Sequence, residues 1–214
     1  MIIETRAVPP FQENGYVVAC ETTREAVVID PGDEVDMLLD IVNAQSLRVQ
    51  SILLTHAHVD HVTGVRRAKQ ALQAPVYLHP DDQFLYDAAP QQAAFFGFDC
   101  DALPAIDRYY DLSETLSFGE YEVAIHHTPG HCPGGVCLAI GVKGLKKDDL
   151  FVGDTLFAGS IGRTDLPGGD HPTLIRSITQ VLFAFGDAAR VHSGHGPQTT
   201  IGQERRTNPF LIRP

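Results

Sequence analysis

The sequence is short of positive charge. Its 16 Lys and Arg stand against 27 Asp and Glu, a formal net charge of -11 over 214 residues. So acidic a chain has no general attraction for phosphate backbones, and nucleic acid is not an expected partner. Cysteine is sparse. Cys20, Cys100, Cys132 and Cys137 are widely spread, and the last two lack CxxC spacing. Inert thiols in a reducing compartment are expected rather than a disulfide framework. Met1 to Phe11 carries Glu4 and Arg6 and no apolar run of signal-peptide length. No later stretch is long enough to span a bilayer. No repeat, low-complexity tract or Gly, Ser or Pro-rich linker marks a boundary. These absences predict one cytoplasmic domain over residues 1–214, away from membranes.

Ordinary globular material is present, with 43% hydrophobic and 20% charged residues. Apolar runs at Ile2–Val8, Tyr16–Cys20 and Ala26–Ile29 predict an antiparallel start. Val35, Leu38, Leu39 and Val42 then fall at helical spacing. Ser51–Leu54 reads as a strand, Val62–Leu72 as a helix and Pro75–Leu78 as a strand, an alternation that favours helices packed on a sheet. Ala88–Tyr110 is read as an excursion bordering the site, whose Phe95, Phe96 and Phe98 are expected to be packing residues rather than a ligand platform. Runs at Leu116–Phe118, Tyr121–His126 and Val136–Ile140 predict antiparallel strands. A strand at Leu150–Val152, a helix over Pro172–Phe185, a strand at Ala189–Val191 and a short helix over Thr199–Arg206 complete the chain.

The chain is organised around Thr55-His56-Ala57-His58-Val59-Asp60-His61. Imidazole and carboxylate are ligands zinc accepts, and His56, His58, Asp60 and His61 crowd the end of one predicted strand. More candidates follow: His131 in Thr128-Pro129-Gly130-His131, Asp154 after Leu150-Phe151-Val152-Gly153, and His195 in Gly194-His195-Gly196. Each lies just beyond the carboxyl end of a short apolar run, the edge where sheets flanked by helices build their sites. Three imidazoles (His56, His58, His131) and a second set (Asp60, His61, His195) suffice for two ions, with Asp154 able to bridge them. Two-metal hydrolases hold their ions about 3.5–4 Å apart, which one carboxylate spans. Zinc is the expected metal, with iron and manganese as alternatives.

These four motifs together resemble the metallo-β-lactamase superfamily, in the family's order across nearly the whole chain. The resemblance implies an α/β fold, a four-layer αββα sandwich of two mixed sheets flanked by helices. It puts His56, His58 and His131 on one metal and Asp60, His61 and His195 on the other, with Asp154 between. Gly153-Asp154-Thr155-Leu156-Phe157 and Gly159-Ser160-Ile161-Gly162-Arg163 are similar to the glyoxalase II branch, the hydroxyacylglutathione hydrolases, in its compact bacterial form. Two features depart from the larger enzymes of that branch. A carboxyl-terminal helical extension does not follow the last ligand, and Gly196-Pro197 stands where they tend to have Tyr.

No GxSxG elbow is present, so a metal-activated bridging hydroxide is the expected nucleophile. A small-molecule thioester is the expected substrate, because a thiol of pKa about 8.5 leaves as thiolate without a strong acid. Asp60 orients the hydroxide and is a candidate base. Arg163 is a candidate clamp for a substrate carboxylate. The alternative is a persulfide dioxygenase of the same fold, with one iron on His56, His131 and Asp154.

Overall fold

Short apolar runs pair first with their sequence neighbours. In the computed structural model, which describes residues 1–97, 100 and 102–212, β1 (Ile2–Arg6), β2 (Gly15–Ala19) and β3 (Glu25–Ile29) are successive antiparallel strands. Helix α1 (Val35–Ala44) then carries the chain over to β4 (Arg48–Leu53), which lies parallel to β3. Helices α2 (Val59–Val62) and α3 (Val65–Leu72) lead to β5 (Val76–Leu78), and α4 (Gln83–Phe96) leads to β6 (Arg108–Tyr109). The six strands form one mixed sheet in sequence order. Leu38, Ile41 and Val42 of α1 pack on Val17, Ala19, Ala26 and Val28. Each large apolar side chain so buried contributes about 1.5–3 kcal/mol.

The second sheet, ordered β14-β13-β10-β9-β8-β7, is also mixed. Its strands are β7 (Thr115–Phe118), β8 (Tyr121–His127), β9 (Val136–Val142), β10 (Asp149–Gly153), β13 (Arg190–Ser193) and β14 (Thr199–Thr200). A separate hairpin, β11 (Leu156–Phe157) with β12 (Ser160–Ile161), follows β10. Helix α5 (His171–Arg176), the helical turns after it and α6 (Ile201–Thr207) bury Leu174, Ile178, Leu182 and Ile201 against Ala139, Leu150, Val152 and Val191. The α/β class, the two mixed sheets and their helices are as the sequence predicts. The chain divides into two compact units, Met1–Tyr110 with Ser117–Glu120, and Asp111–Leu116 with Tyr121–Pro214. Among the described residues no helix is long and apolar enough to cross a membrane.

Three expectations need correction. The helix expected over Val62–Leu72 is two, broken at Thr63-Gly64. Gly64 N–H donates to the Pro31 carbonyl at 3.0 Å, and a Cβ there would lie 2.2 Å from the Gly32 carbonyl oxygen. Backbone approach outweighs helix continuation at that point. The first part of the Ala88–Tyr110 excursion is helical, since α4 runs through Pro90 to Phe96. Phe95 and Phe96 do not pack inward: they are 85% and 56% exposed and meet each other edge to face. Phe98 lies outside the described residues. The Pro172–Phe185 helix is α-helical only to Arg176 and then changes pitch.

Candidate metal centre

Parallel strands bring their carboxyl ends to the same edge. In the first unit, β3 and β4 therefore place Asp30 beside Thr55. The Asp30 carboxylate accepts from Thr55 N–H at 2.7 Å and from Thr55 Oγ1 at 2.5 Å. The Thr55 hydroxyl, having spent its proton on Asp30, accepts from His56 Nδ1 at 3.1 Å. The remaining imidazole nitrogen of His56, Nε2, is then the lone-pair nitrogen. His61, at the end of α2, presents Nδ1 to Asp30 Oδ2 at 3.1 Å and to Glu13 Oε1 at 3.5 Å. Its Nε2 lies 3.9 Å from Asp60 Oδ2. The imidazole rings of His58 and His61 lie 4.8 and 4.1 Å from that of His56. His56, His58, Asp60 and His61 thus form one cluster. The three histidines are buried, and ligand atoms of Asp30, His56 and His61 lie within 4.8 Å of one another.

Buried carboxylates stand behind these histidines. Glu13, Asp30 and Glu34 are each only 2% exposed. Burial raises the Glu13 pKa well above the usual carboxylate range and lifts that of Glu34 to about 7. Glu34 Oε1 accepts from Gly32 N–H at 2.9 Å. Asp82, fully buried ahead of α4, accepts from Ala57 N–H at 3.1 Å and so grips the segment between His56 and His58.

In the second unit, β8, β10 and β13 end just before His131, Asp154 and His195. Asp154 Oδ2 is 3.6 Å from His131 Nε2 and 3.5 Å from His195 Nε2. The Arg163 carbonyl accepts from His131 Nδ1 at 2.8 Å, so Nε2 turns its lone pair toward Asp154. A lone pair facing a carboxylate oxygen at that distance is unfavourable unless a cation lies between. Two donors each about 2.0–2.1 Å from one ion lie about 3.3–3.6 Å apart. The trio therefore fits a divalent ion. Gly162 closes it from behind, since a Cβ there would lie 1.9 Å from the Asp154 carbonyl oxygen.

The Arg163 guanidinium is engaged elsewhere, in a bidentate pair with Asp165 at 2.7 Å, both side chains largely exposed. That pair holds the Asp165 pKa down to about 2. The other histidines are mostly structural. His79 Nδ1 accepts from Asp81 N–H, His127 donates to the Pro133 carbonyl, His126 packs on Phe185, and His192 stacks on Phe151 while bonding Asp149. His171 opens α5 at the surface. Sequence reading missed Asp30, Glu13, Glu34 and Asp82. Asp30 carried a usable signal, because it too directly follows an apolar run.

Histidines whose Nδ1 protons are fixed, grouped with carboxylates at the carboxyl ends of strands in an α/β fold, define a candidate centre for divalent metal. The family model described as the metallo-beta-lactamase superfamily matches residues 8–195, and the chain belongs to that superfamily. It is 40% identical over 215 residues to the hydroxyacylglutathione hydrolase GloC of Haemophilus influenzae, covering 99% of this chain and 98% of that one. Among solved structures it is similar to the BLEG-1 B3 metallo-beta-lactamase, with TM-score 0.89 and 36% identity, covering 99% of this chain and 100% of the other. It is also similar to TTHA1623 in a di-iron-bound form, with TM-score 0.85 and 42% identity, covering 97% and 100%.

Proposed function

We propose that the two units are halves of one metallo-β-lactamase-fold domain whose donor clusters hold two divalent metal ions and hydrolyse a thioester such as S-lactoylglutathione. In this reading His56, His58 and His131 would hold one ion and Asp60, His61 and His195 the other, with Asp154 a ligand to both. The observation that carries the reading is Asp154 Oδ2, almost equidistant from the Nε2 atoms of His131 and His195. The span of the family model across both units supports joining the clusters. The name of the Haemophilus relative supports the substrate class.

Two divalent ions held there, most simply zinc, would supply a water of pKa about 7 and a Lewis acid for the carbonyl oxygen. The chain's own residues do the rest. Thr55, Asp30 and the Arg163 carbonyl fix imidazole tautomers, so that Nε2 is the ligating atom. Asp60 orients the attacking water and accepts its proton on a carboxylate oxygen. A thiolate leaves without protonation. Arg163 exchanges Asp165 for a substrate carboxylate, which costs little in an exposed pair. Free thiols at Cys20, Cys100, Cys132 and Cys137 fit a cytoplasmic setting.

The test is S-lactoylglutathione hydrolysis by metal-replete protein, with metal counted per chain and β-lactams as parallel substrates. Two ions per chain and thioester turnover are expected. One iron per chain, with oxygen uptake on glutathione persulfide, would replace this reading with the dioxygenase. Faster turnover of β-lactams than of thioesters would also overturn it.

A further inference from the structure

The hairpin β11–β12 is too short to be stable alone, since it has only two residue pairs. Yet it joins two parts of the second unit's donor trio. Asp154 precedes it, and Arg163, whose carbonyl fixes His131, follows it. Phe157 on β11 meets the His195 ring edge-on at 6.1 Å. What holds the hairpin comes from the end of the chain. Glu204 of α6 is fully buried. Its carboxylate accepts from Thr199 Oγ1 at 2.5 Å, from Gly159 N–H at 2.8 Å and from Asn208 Nδ2 at 2.9 Å. Asn208, also fully buried, donates to the Ser160 carbonyl at 2.9 Å and accepts from Phe210 N–H at 3.0 Å. The Gly159 N–H and the Ser160 carbonyl at the hairpin tip are thus satisfied by side chains of α6 and of Asn208 just after it. Gly159 has φ +74°, so the turn itself is open to glycine and strained for other residues.

We infer that Glu204 and Asn208 are positioning residues: they clamp the hairpin and thereby set the spacing of His131, Asp154 and His195. A fully buried carboxylate taking three hydrogen bonds is rigid, and its cost is offset only while all three donors stay in place. Release of the hairpin tip relaxes Asp154 at one end and the Arg163 carbonyl at the other. The inference rests on the reading that this trio holds metal.

The experiment compares wild type with Thr199→Val, which removes one bond to Glu204, with Asn208→Ala, which removes the side-chain bonds to Glu204, Ser160 and Phe210, and with Glu204→Gln. Three readouts are taken: hydrogen exchange at the Gly159 amide, imidazole NMR signals of His131 and His195 in metal-free protein, and cobalt(II) affinity by absorbance titration. Asn208→Ala should speed Gly159 exchange, shift both imidazole signals and weaken cobalt binding about 10-fold, the lower end for loss of a group that orients a ligand. A purely structural role would lower the melting temperature and leave the imidazole signals and cobalt affinity alone, and that result overturns the clamp. If Glu204→Gln does not fold, Asn208→Ala and Thr199→Val decide. Wild type that takes up no cobalt would sink the metal reading instead, and the imidazole signals would still judge the clamp.

Discussion

The two donor clusters are held in different ways. His56, His58 and His61 are at most 7% exposed and are backed by buried carboxylates, with Asp30 touching both Thr55 and His61. In the other unit His195 is 28% exposed at its side chain. There the backing is a backbone carbonyl on His131 and a hairpin pinned from α6. Buried carboxyl groups that hold Thr55 and His61 in place rigidify them, so the first cluster is preorganised by buried hydrogen bonds. The second is preorganised by the path of the chain. Loss of a buried acceptor should therefore hurt the first cluster most, and changes of loop geometry the second.

The largest effect is expected at the carboxylate of the second trio. Asp154→Ala removes the oxygen shared by His131 and His195. It should lower kcat/KM by more than the roughly 10–100-fold typical of losing an outer partner, and should lower metal occupancy. Retained activity in that variant would contradict a bridging role. Asp30→Ala comes next. It leaves Thr55 N–H and the Thr55 hydroxyl without their acceptor and lets the His56 tautomer drift. We expect about 10–100-fold weaker metal binding and a stability loss of about 2–4 kcal/mol, read by chelator competition and urea unfolding. Asp30→Asn should recover part of both, because one acceptor oxygen remains. If the asparagine variant were as poor as alanine, charge rather than hydrogen bonding would be the main contribution.

The pH dependence of stability separates the clusters more finely. Burial raises the Glu34 pKa from 4.5 to about 7, so the folded protein keeps a proton that the unfolded chain gives up in that window. The resulting stability is fully present below about pH 4.5, declines as pH rises toward 7 and is gone above it. The span is on the order of 3 kcal/mol. In metal-free protein, Glu34→Gln should flatten the fall in urea midpoint between pH 5 and pH 8. Glu13 shifts the same way for the same reason, so some slope remains. An unchanged slope would mean that Glu34 is ionised in the folded protein.

The candidate donors were legible in the sequence because each stands at or soon after the end of an apolar run. His131, Asp154 and His195 were singled out by that rule as readily as the dense His56–His61 segment. Asp30 obeys the same rule, but Asp-Pro-Gly reads first as a turn. Glu13 and Glu34 sit in polar stretches, and their burial comes from packing against glycines. A Cβ on Gly15 would lie 2.0 Å from Glu34 Oε1, a proximity no local pattern encodes. Strand order was legible where neighbours pair antiparallel. The β11–β12 hairpin was not, since two-residue strands have no period to read. The continuation of α4 past Tyr86 was hidden by Pro90, which local propensity counts as a break.

The smallest expected effect tests how the second cluster uses Arg163. Its carbonyl, not its side chain, orients His131. Arg163→Ala therefore keeps the metal-binding geometry and loses only the guanidinium. Because that guanidinium already pairs with Asp165 at the surface, its removal costs little stability. A thioester with a free carboxylate should show a KM raised about 10-fold with kcat nearly unchanged, as expected when uniform binding is lost. A thioester lacking that carboxylate should show almost no change. Equal effects on both substrates would assign the loss to loop geometry. A fall in kcat with intact KM would place the side chain at the reacting centre and narrow the contrast between the two clusters.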